Sequence, residues 1–486
     1  MHDTQHFAVL VLLVAVTGLV AILSNRLTER IRVPAPALLL IAAAILVKAV
    51  PSLHAPSDRT VERLVTVALL CILFDGGMHI GWSRFRAAVA PIAVVGVAGT
   101  FLTVAGAAVL IHLAFGIGWY AAVLLATAVA PTDPAVVFSV LGRREVSGRS
   151  GTILEGESGA NDPVGIALMA SLLSAGNLSG GAFGHVAGEF VLQMVVGAAI
   201  GILGGHLLLR FIRVVPLPNA GLYPLRTLAG ACVLFGLATI AHGSGFLAVF
   251  AAGILLGDES APYKRETDRF HGALASLGEI VAFVVLGLTV DLDTLAHADV
   301  WVPGLILGLA LAVLIRPVLI GLCLVRAGLD RNERAFILFA GLKGAVPILL
   351  GSFLLSEHVD NGERLYGIVV VVVAFSVIVQ GGLVPAVAGA LRLPMRMVEP
   401  EPWSLGVRLR DEPSGAHRFV IAPGSAADGH CVHDLAALPG EAWISFIVRA
   451  GQLVPVTGDT RLQAGDEVLV LADPDLRDEL AQTFEQ

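Results

Sequence analysis

The chain has 486 residues, of which 56% are hydrophobic and only 14% are charged, and its mean hydropathy is +0.83. A soluble domain carries about 25% charged residues, so this composition excludes an ordinary soluble protein and indicates a polytopic helical membrane protein. The net charge of −8 is concentrated near the end of the chain, where residues 398–486 hold 6 Lys and Arg against 15 Asp and Glu. An acidic soluble tail therefore follows a nearly neutral membrane body, and no basic nucleic-acid surface is expected.

Thirteen apolar segments of membrane-spanning length follow one another along the chain. They lie at about residues 7–24, 33–50, 61–80, 87–115, 119–141, 151–175, 186–209, 222–242, 245–257, 272–290, 300–325, 335–356 and 365–391. No basic stretch precedes the first segment, so we interpret it as a retained helix and not as a cleaved signal peptide. The ninth segment is short, but without it the alternation of basic connectors would break.

Every second connector between these segments is basic. The basic connector residues are Arg26, Arg30, Arg32, Arg84, Arg86, Arg143, Arg144, Arg149, Arg210, Arg213, Arg226, Lys264, Arg265, Arg269, Arg326, Arg331, Arg334, Arg392 and Arg396. The opposite side holds Lys48, Arg59, Arg63 and Arg364. The positive-inside rule therefore predicts a cytoplasmic tail and an N-terminus on the outside.

Three carboxylates are predicted deep inside the membrane. Helical rise places Asp75 and Asp133 about 21 Å from the outer ends of their segments, and Asp162 about 16 Å from an inner end. An intramembrane charge costs about 3 kcal/mol on insertion scales and indicates a functional site by default. Lys343 and Arg316 are the available basic partners. The structural alternative is a set of ion pairs that only lock helices together.

Two segments carry signals for an interrupted helix. The fifth contains Ala130-Pro131-Thr132-Asp133-Pro134, and the twelfth contains Gly341-Leu342-Lys343-Gly344-Ala345-Val346-Pro347. Interior prolines remove helical hydrogen bonds, and half-helix ends inside a membrane attract charges of opposite sign. Thr132 or Asp133 suits an N-cap before Pro134, and Lys343 suits the opposing C-terminal ends. Simple proline kinks would leave the acid and the base unexplained.

The two interruptions also occupy matching positions if segments one to six and eight to thirteen form inverted repeats. Interrupted segments at equivalent places in two halves point to the binding site of a transporter. In the sixth segment, Glu155, Ser158 and Asp162 share one helix face, and Glu157 and Asn161 occupy the neighbouring stripe. The first face presents oxygen ligands of the kind that hard cations prefer, and the second can reach Arg316.

These motifs jointly resemble the NhaP-type monovalent cation:proton antiporters of the cation:proton antiporter-1 family, over nearly all of residues 1–397. The resemblance is carried by Phe74-Asp75-Gly76-Gly77, Thr132-Asp133-Pro134, Glu157-Ser158, Asn161-Asp162-Pro163, Arg316-Pro317 and Gly341 through Pro347. It implies an all-α membrane domain of about 13 transmembrane helices, with inverted repeats and two crossing discontinuous helices. It also implies a homodimer with a moving core domain.

The resemblance further implies roles for single residues. Asp162 would bind the cation and the proton, Thr132 and Ser158 would supply oxygen ligands, and Asp133, at similar depth, is grouped with them. The supporting residues would be Glu157 paired with Arg316, Asn161 capping backbone at the crossing, Lys343 where many relatives carry Arg, and Asp75 where Glu is more usual. The shorter Asp75 side chain puts its direct contact with the ion in question.

The tail resembles a TrkA-C (RCK_C) domain from Gly429 through Val470. Alternating apolar residues in 443–448 and the β-branched run 467–471 predict strands of a small α/β unit, and Asp473-Pro474 opens a terminal helix. We therefore divide the chain into a transmembrane antiporter domain (1–397), a linker (398–414) and a cytoplasmic regulatory domain (415–486). This combination resembles the cell-volume-regulation branch, whose members are treated as potassium/proton antiporters.

The sequence thus predicts an electroneutral antiporter, not an enzyme, that exchanges K⁺ (or Na⁺) for H⁺ by alternating access in a bacterial inner membrane. The expected partners are membrane lipid, a second copy of the chain and an unidentified small effector at the tail. No cofactor is expected, and Cys71, Cys232, Cys323 and Cys431 lack the spacing of a disulfide framework or a zinc site.

Two alternatives remain open at this point. One is a cation channel gated by the tail, in which the same charges line a pore. The other is a rhomboid-type intramembrane serine protease, suggested by Gly156-Glu157-Ser158-Gly159 and by His242.

Overall fold

The computed structural model describes residues 35–49, 57–141, 144–146, 149–178, 180–259, 261–393, 395–397, 415–435, 442–449 and 452–485. The chain divides into two compact units, Met1–Pro400 and Glu401–Gln486. The first unit is almost entirely helical, and the second is a small sheet with short helices.

The apolar segments form the helices of the first unit. These are α1 (Ala35–Ala49), α2 (Asp58–Ala93), α3 (Gly99–Phe115), α4 (Trp119–Val129), α5 (Pro134–Leu141), α6 (Arg149–Ala175), α7 (Gly180–Val214), α8 (Leu222–Ile240), α9 (Gly245–Gly257), α10 (Lys264–Leu288), α11 (Leu292–Leu295), α12 (Ala298–Ala310), α13 (Gly321–Cys323), α14 (Arg331–Phe339), α15 (Ala345–Ser356), α16 (Gly362–Phe375) and α17 (Gly382–Ala390). Predicted segments two to thirteen each coincide with one helix or with consecutive helical pieces. Segment one (7–24) lies outside the described residues, so the total of thirteen stays a prediction.

Segments five and twelve are interrupted where the sequence predicts. Residues 130–133 separate α4 from α5, and residues 340–344 separate α14 from α15. Helix α2 contains segment three and the beginning of segment four, which continues into α3. Within α2 the backbone leaves the helical conformation at Gly81, which has a φ of 67°. The Asp258 carboxylate lies where a Cβ of residue 81 would be, so glycine is required at this turn by both its φ and its surroundings.

The short segment nine is a genuine helix held by glycines. α9 packs against α2 so closely that a Cβ at Gly77, Gly253 or Gly257 would overlap backbone atoms of the opposing helix. Small residues allow this approach, which is a common way to join helices within a membrane. Segment nine, which has the shortest predicted apolar run, is thus held by close backbone contact with the long helix α2.

Contacts between connectors agree with the predicted alternation of sides. Arg213 pairs with Glu259 on one side, and Lys48 pairs with Asp293 on the other. On the first side, Ser150 also donates to Glu333 at 2.9 Å. Each of these contacts joins connectors that the count of segments places on the same side of the membrane.

Two connectors of the membrane domain pair as short strands. Strand β1 (Arg144–Val146) pairs antiparallel with β2 (Met395–Met397) in a two-stranded ribbon. The extended backbone of these two connectors satisfies its hydrogen bonds by this pairing, while predicted segments two to thirteen are themselves helical. Both connectors belong to the predicted basic side.

The second unit contains a four-stranded antiparallel sheet in the order β3-β6-β4-β5. Its strands are β3 (Ala416–Val420), β4 (Trp443–Arg449), β5 (Gln452–Val454) and β6 (Glu467–Leu471), and helix α18 spans Arg477–Phe484. Phe484 of α18 stacks on Phe419 of β3 with ring centroids 5.4 Å apart. The strands expected at 443–448 and 467–471 are present, and the Asp473 side chain caps the turn that leads into α18.

Candidate functional site

The first interruption exposes the C-terminal end of α4 inside the membrane domain. Carbonyls at the end of a helix have no intrahelical partner, and a nearby cation stabilises them. Lys343 supplies both the hydrogen bonds and the positive charge: its Nζ donates to Ala130 O at 2.8 Å and to Pro131 O at 3.1 Å. Lys343 is buried, and it occupies the position that the sequence predicts for it.

The second interruption is satisfied in the same way. Arg316 Nε donates to Leu338 O at 3.0 Å, and its Nη2 donates to Ile337 O at 3.1 Å, at the C-terminal end of α14. The same guanidinium binds both carboxylate oxygens of Glu157, at 2.6 and 2.9 Å. The C-terminal end of α4 therefore faces the Lys343 ammonium, and the C-terminal end of α14 faces the Arg316 guanidinium. The charge of Arg316 is neutralised by Glu157.

The two interruptions touch each other directly, and we call this contact between residues 130–133 and 340–344 the crossing. The backbone N–H of Asp133 donates to Leu342 O at 2.8 Å. The Asp133 carboxylate lies against Gly344, the N-cap residue of α15, where an added Cβ would overlap it. A negative charge at this end of a helix is favourable. Asp133 of the first interruption thus faces the N-terminus of α15 in the second. Conversely, Lys343 of the second interruption faces the C-terminus of α4 in the first.

Helix α6 is tied to the first interruption by polar side chains. Asn161 Nδ2 donates to Thr132 Oγ1 at 2.7 Å, and the Thr132 backbone N–H donates to Asn161 Oδ1 at 3.4 Å. Thr132 Oγ1 also donates to Glu157 at 3.4 Å. The Thr132 hydroxyl, predicted to be a cation ligand, is therefore engaged by Asn161 and Glu157 in this structure.

Asp162 lies one helical turn beyond Ser158 on the same face of α6, and both side chains are buried. Ser158 Oγ donates to Asp162 Oδ2 at 3.4 Å, a long hydrogen bond. Among the described residues no hydrogen-bond partner lies within reach of Asp162 Oδ1. Asp162 also interacts electrostatically with Asp133 and Lys343. A buried carboxylate so poorly satisfied is suited to bind a proton or a cation.

Asp75 and Glu155 lie away from this cluster. Asp75 is half-buried on α2 and faces α10, with its Oδ1 3.8 Å from the position of a Cβ at Gly272. Within the described part of the chain no hydrogen bond joins Asp75 to Asp162. Glu155, predicted on the same face as Ser158, lies 3.7 Å from His79 Nε2.

Sequence reasoning missed two polar residues that support the second interruption. Ser376 Oγ accepts from the Lys343 backbone N–H at 2.9 Å and donates to Gln380 at 3.1 Å. Gln380 Nε2 in turn donates to Phe339 O at 2.6 Å. The available signal was their i, i+4 spacing inside an otherwise apolar segment. Both residues lie in a π-helical stretch, Ser376–Gly381, and Arg316 lies in another, Leu311–Ile320, a feature frequent at functional sites.

Glu279 was also missed. It lies on α10 with a buried Oε1 for which the described residues provide no hydrogen bond, and it interacts electrostatically with Asp133. The neighbouring Gly278 packs on the backbone of Ala68 in α2, which fixes this part of α10. A glutamate in an apolar segment was the signal, and its electrostatic interaction with Asp133 emerges only in the fold.

Residues 12–389 match the family model described as sodium/hydrogen exchanger, transmembrane. The chain belongs to the sodium/hydrogen exchanger family. Residues 416–485 match the TrkA-C domain, which confirms the resemblance of the tail. Membership in a family of membrane exchangers gives no support to the channel or to the serine protease. Within the part of the chain that the structure describes, the Ser158 hydroxyl is hydrogen-bonded to Asp162 and not to a histidine, and His242 is exposed just beyond the end of α8.

The exchanger match extends to individual relatives. The K(+)/H(+) antiporter NhaP2 of Shewanella oneidensis is 29% identical over 86% of this chain and 73% of its own length. The K(+)/H(+) antiporter NhaP of Alkalimonas amylolytica is 30% identical over 79% of this chain and 67% of its own. The structure of the sodium proton antiporter MjNhaP1 from Methanocaldococcus jannaschii superposes with a TM-score of 0.67 at 20% identity, covering 80% of this chain and 98% of that one. That likeness establishes a shared fold.

Proposed function

We propose that this exchanger is a secondary antiporter that moves a monovalent cation, K⁺ in preference to Na⁺, against H⁺. The observation that carries the proposal is Asp162, a buried and poorly satisfied carboxylate beside two crossing half-helices. The preference for K⁺ rests on the K(+)/H(+) antiporter relatives and on the TrkA-C tail. The chain acts as a transporter and not as an enzyme.

Exchange follows from the charge of one side chain. Protonated Asp162 is neutral, and Asp162 paired with a monovalent cation is also neutral. Both forms can move through a low-dielectric barrier, whereas the bare carboxylate cannot, because its desolvation is uncompensated. Transit of the unloaded protein is therefore blocked, and each half-cycle carries either a cation or a proton.

The surrounding residues divide into ligands and supports. Ser158 already contacts Asp162 and offers its hydroxyl oxygen to a cation. Thr132 offers an oxygen only if its hydrogen bond with Asn161 rearranges, so cation binding is coupled to the contact between α6 and the crossing. Asp133 and Lys343 compensate half-helix ends and set the local electrostatic field. Arg316 and Glu157 hold the crossing together.

The position next to Asp162 bears on the stoichiometry. Asn161 stands there in place of a second acid, so one carboxylate titrates per cycle, and one proton exchanges for one cation. Transport is then electroneutral. Proteoliposome exchange at clamped pH should not change when a membrane potential is imposed, and a turnover that follows the potential would contradict this stoichiometry.

We further propose a multi-pass location in a bacterial inner membrane, with the basic connectors and the tail in the cytoplasm. The positive-inside rule supports this orientation. The chain would function as a homodimer, and the TrkA-C tail would bind a small regulatory ligand. Cysteine accessibility at Asp299→Cys and Arg326→Cys, on opposite predicted sides, tests the orientation: only the former should react with an impermeant maleimide in intact cells.

The assignment of Asp162 is tested with Asp162→Asn in proteoliposomes. We expect cation-driven proton movement to fall to the level of empty liposomes, while the variant elutes and unfolds like the unsubstituted chain. Asp299→Asn, an exposed acid paired with Arg364, is the matched control and should retain full exchange. Full exchange by Asp162→Asn would end the proposal. Separate K⁺ and Na⁺ titrations against one pH gradient test the cation preference.

A further inference from the structure

A second group of potential ligands lies in the tail, at the turn formed by Cys431, Val432, His433 and Asp434. Cys431 immediately precedes a 3₁₀ turn, Val432–Asp434, and residues three apart in such a turn lie on the same side. The Cys431 sulfur, a ring nitrogen of His433 and a carboxylate oxygen of Asp434 lie within 4.8 Å of one another. Thiolate, imidazole and carboxylate are the donors that protein zinc sites use.

The imidazole and carboxylate ligands are spaced for a single ion. His433 Nε2 lies 3.1 Å from Asp434 Oδ1. Two ligands about 2.0–2.2 Å from a tetrahedral zinc ion are separated by about 3.3–3.6 Å, so this pair needs to open by only a few tenths of an ångström. Cys431 is a free cysteine, so its sulfur is available as a ligand.

The histidine is oriented in the way that metal-binding histidines are. His433 Nδ1 lies 2.5 Å from Gly458 O and donates to this carbonyl, so Nε2 is the ring nitrogen that faces Asp434. Metal-ligating histidines almost always donate their other ring N–H to a carbonyl or carboxylate. The Asp459 carboxylate lies 3.7 Å from the same Nδ1 and adds negative charge behind the ring.

The turn is also held in place by backbone hydrogen bonds. Val432 N donates to Thr460 O at 3.0 Å, and His433 N donates to Gly458 O at 2.9 Å. Cys431 forms an isolated β-bridge with Arg461. The three ligands therefore project from a turn that is fixed against the 458–461 loop, so little ordering is needed when an ion binds.

We propose that Cys431, His433 and Asp434 form a site for a divalent transition-metal ion of the zinc class, with water at the fourth position. The thiolate selects this class over Mg²⁺, Ca²⁺ and the alkali cations. The Cys431 thiol loses its proton to the solvent on coordination, so affinity falls as the pH falls. The site is independent of Asp162, and the tail would respond to a metal ion whether or not the proposed exchange is correct.

Cobalt(II) is a suitable probe because its bond to a thiolate gives a charge-transfer absorption band. The full chain, purified in detergent and stripped with a chelator, is titrated with Co²⁺ and then with Zn²⁺. We expect one Co²⁺ per chain with a thiolate band, and we expect Zn²⁺ to abolish that band. Cys431→Ser should remove the band, and His433→Gln should weaken Co²⁺ binding at least about tenfold.

Cys232→Ser is the matched control, because Cys232 is an exposed cysteine of the membrane unit. It should leave the band unchanged. Thermal unfolding of each variant checks that the tail remains folded, and protection of Cys431 from maleimide by Zn²⁺ gives a second readout on the unsubstituted chain. A band that survives in Cys431→Ser, or the absence of both the band and the protection, would overturn the proposal.

Discussion

Asp162 differs from Glu157 and Lys343 in how few hydrogen bonds satisfy its charged group. Glu157 accepts two hydrogen bonds from Arg316, and Lys343 donates to two carbonyl oxygens. Asp162 accepts one long hydrogen bond from Ser158, and its Oδ1 lies beyond hydrogen-bonding distance of any donor in the described ranges. A buried charge is costly until it is paired, so we assign exchange to Asp162 and support of the crossing to Glu157, Arg316 and Lys343.

The pair of Glu157 and Arg316 gives a prediction about stability. Arg316→Met leaves the Glu157 carboxylate buried without its counter-charge, which costs about 3–5 kcal/mol. The double variant Glu157→Gln, Arg316→Met removes both charges and should unfold at a higher temperature than Arg316→Met alone. Thermal unfolding in detergent measures both variants. A double variant less stable than Arg316→Met would show that the two charges do not act as a pair.

Asp466 in the tail makes stability depend on pH. Burial of this side chain would by itself raise its pKa. Hydrogen bonds from Arg449 at 2.8 Å, and from the Gln463 backbone N–H at 2.9 Å, outweigh burial and hold the pKa of Asp466 below its ordinary value. A carboxylate with a lower pKa in the folded state stabilises the fold above the unfolded pKa, and loses that contribution as the pH falls through the folded pKa.

Asp466→Asn is therefore expected to destabilise the tail by about 2 kcal/mol at neutral pH. The difference from the unsubstituted chain should begin to shrink as the pH falls below about 4, the ordinary pKa of an aspartate, and should vanish below the lowered pKa of folded Asp466, where the native acid is protonated as well. Native-state hydrogen exchange of β4 and β6 in the full chain measures the difference. The exposed Asp478→Asn is the control and should change little. A difference that persists undiminished at acidic pH would contradict this account.

At the scale of elements, the interrupted helices show how a membrane domain tolerates helix ends in its interior. α4 has 11 residues and α15 has 12, about 16 and 18 Å of helix, and neither crosses a core about 30 Å thick. Backbone groups at such ends must be satisfied by the protein because no water reaches them in lipid. Lys343, Arg316 and Gln380 do so for the C-terminal ends.

The contact between the two interruptions is tested by Gly344→Ala. The new methyl group would overlap the Asp133 carboxylate, so either Asp133 or the N-terminus of α15 must shift. We expect exchange to fall at least about tenfold, because a displacement of the order of 1 Å at a functional site has effects of this size. Gly389→Ala, where a Cβ meets open space, is the matched control. Equal exchange in both variants would show that close packing at Gly344 is dispensable.

The sequence predicted these interruptions well, because proline and glycine act on the local backbone. Pro131, Pro134 and Gly344 signalled where the helices break, and the sign of the charge beside each break predicted which helix end it meets. Ser376 and Gln380 could not be assigned in this way. They act on backbone of another segment, and their role depends on packing that no local pattern encodes.

At the scale of the whole molecule, the chain is a membrane unit joined to a tail with its own hydrophobic core. The core of the tail includes Phe419, Ile447, Val470 and Phe484, all buried within the second unit. A unit with its own core can fold by itself. The chemistry assigned to Asp162 requires only the first unit.

Deletion of residues 400–486 should therefore preserve exchange and change its dependence on pH or on a ligand. Proteoliposome assays of the full and truncated chains across a range of pH measure both properties. If the truncated chain inserts and folds but no longer exchanges, the tail is a necessary part of the transport cycle. If its pH profile matches that of the full chain, the tail has no regulatory role under these conditions.

The sequence by itself determined the class of protein, the helical segments two to thirteen, the two interruptions and the strands of the tail. Each follows from hydropathy, periodicity or backbone chemistry that acts over a few residues. Only the tertiary structure decided which groups interact: that Lys343 reaches the end of α4, that Thr132 is engaged by Asn161, that Asp75 faces α10, and that Glu279 interacts electrostatically with Asp133. Such contacts join residues distant in the chain, and their geometry is set by the packing of whole helices, which a linear pattern does not record.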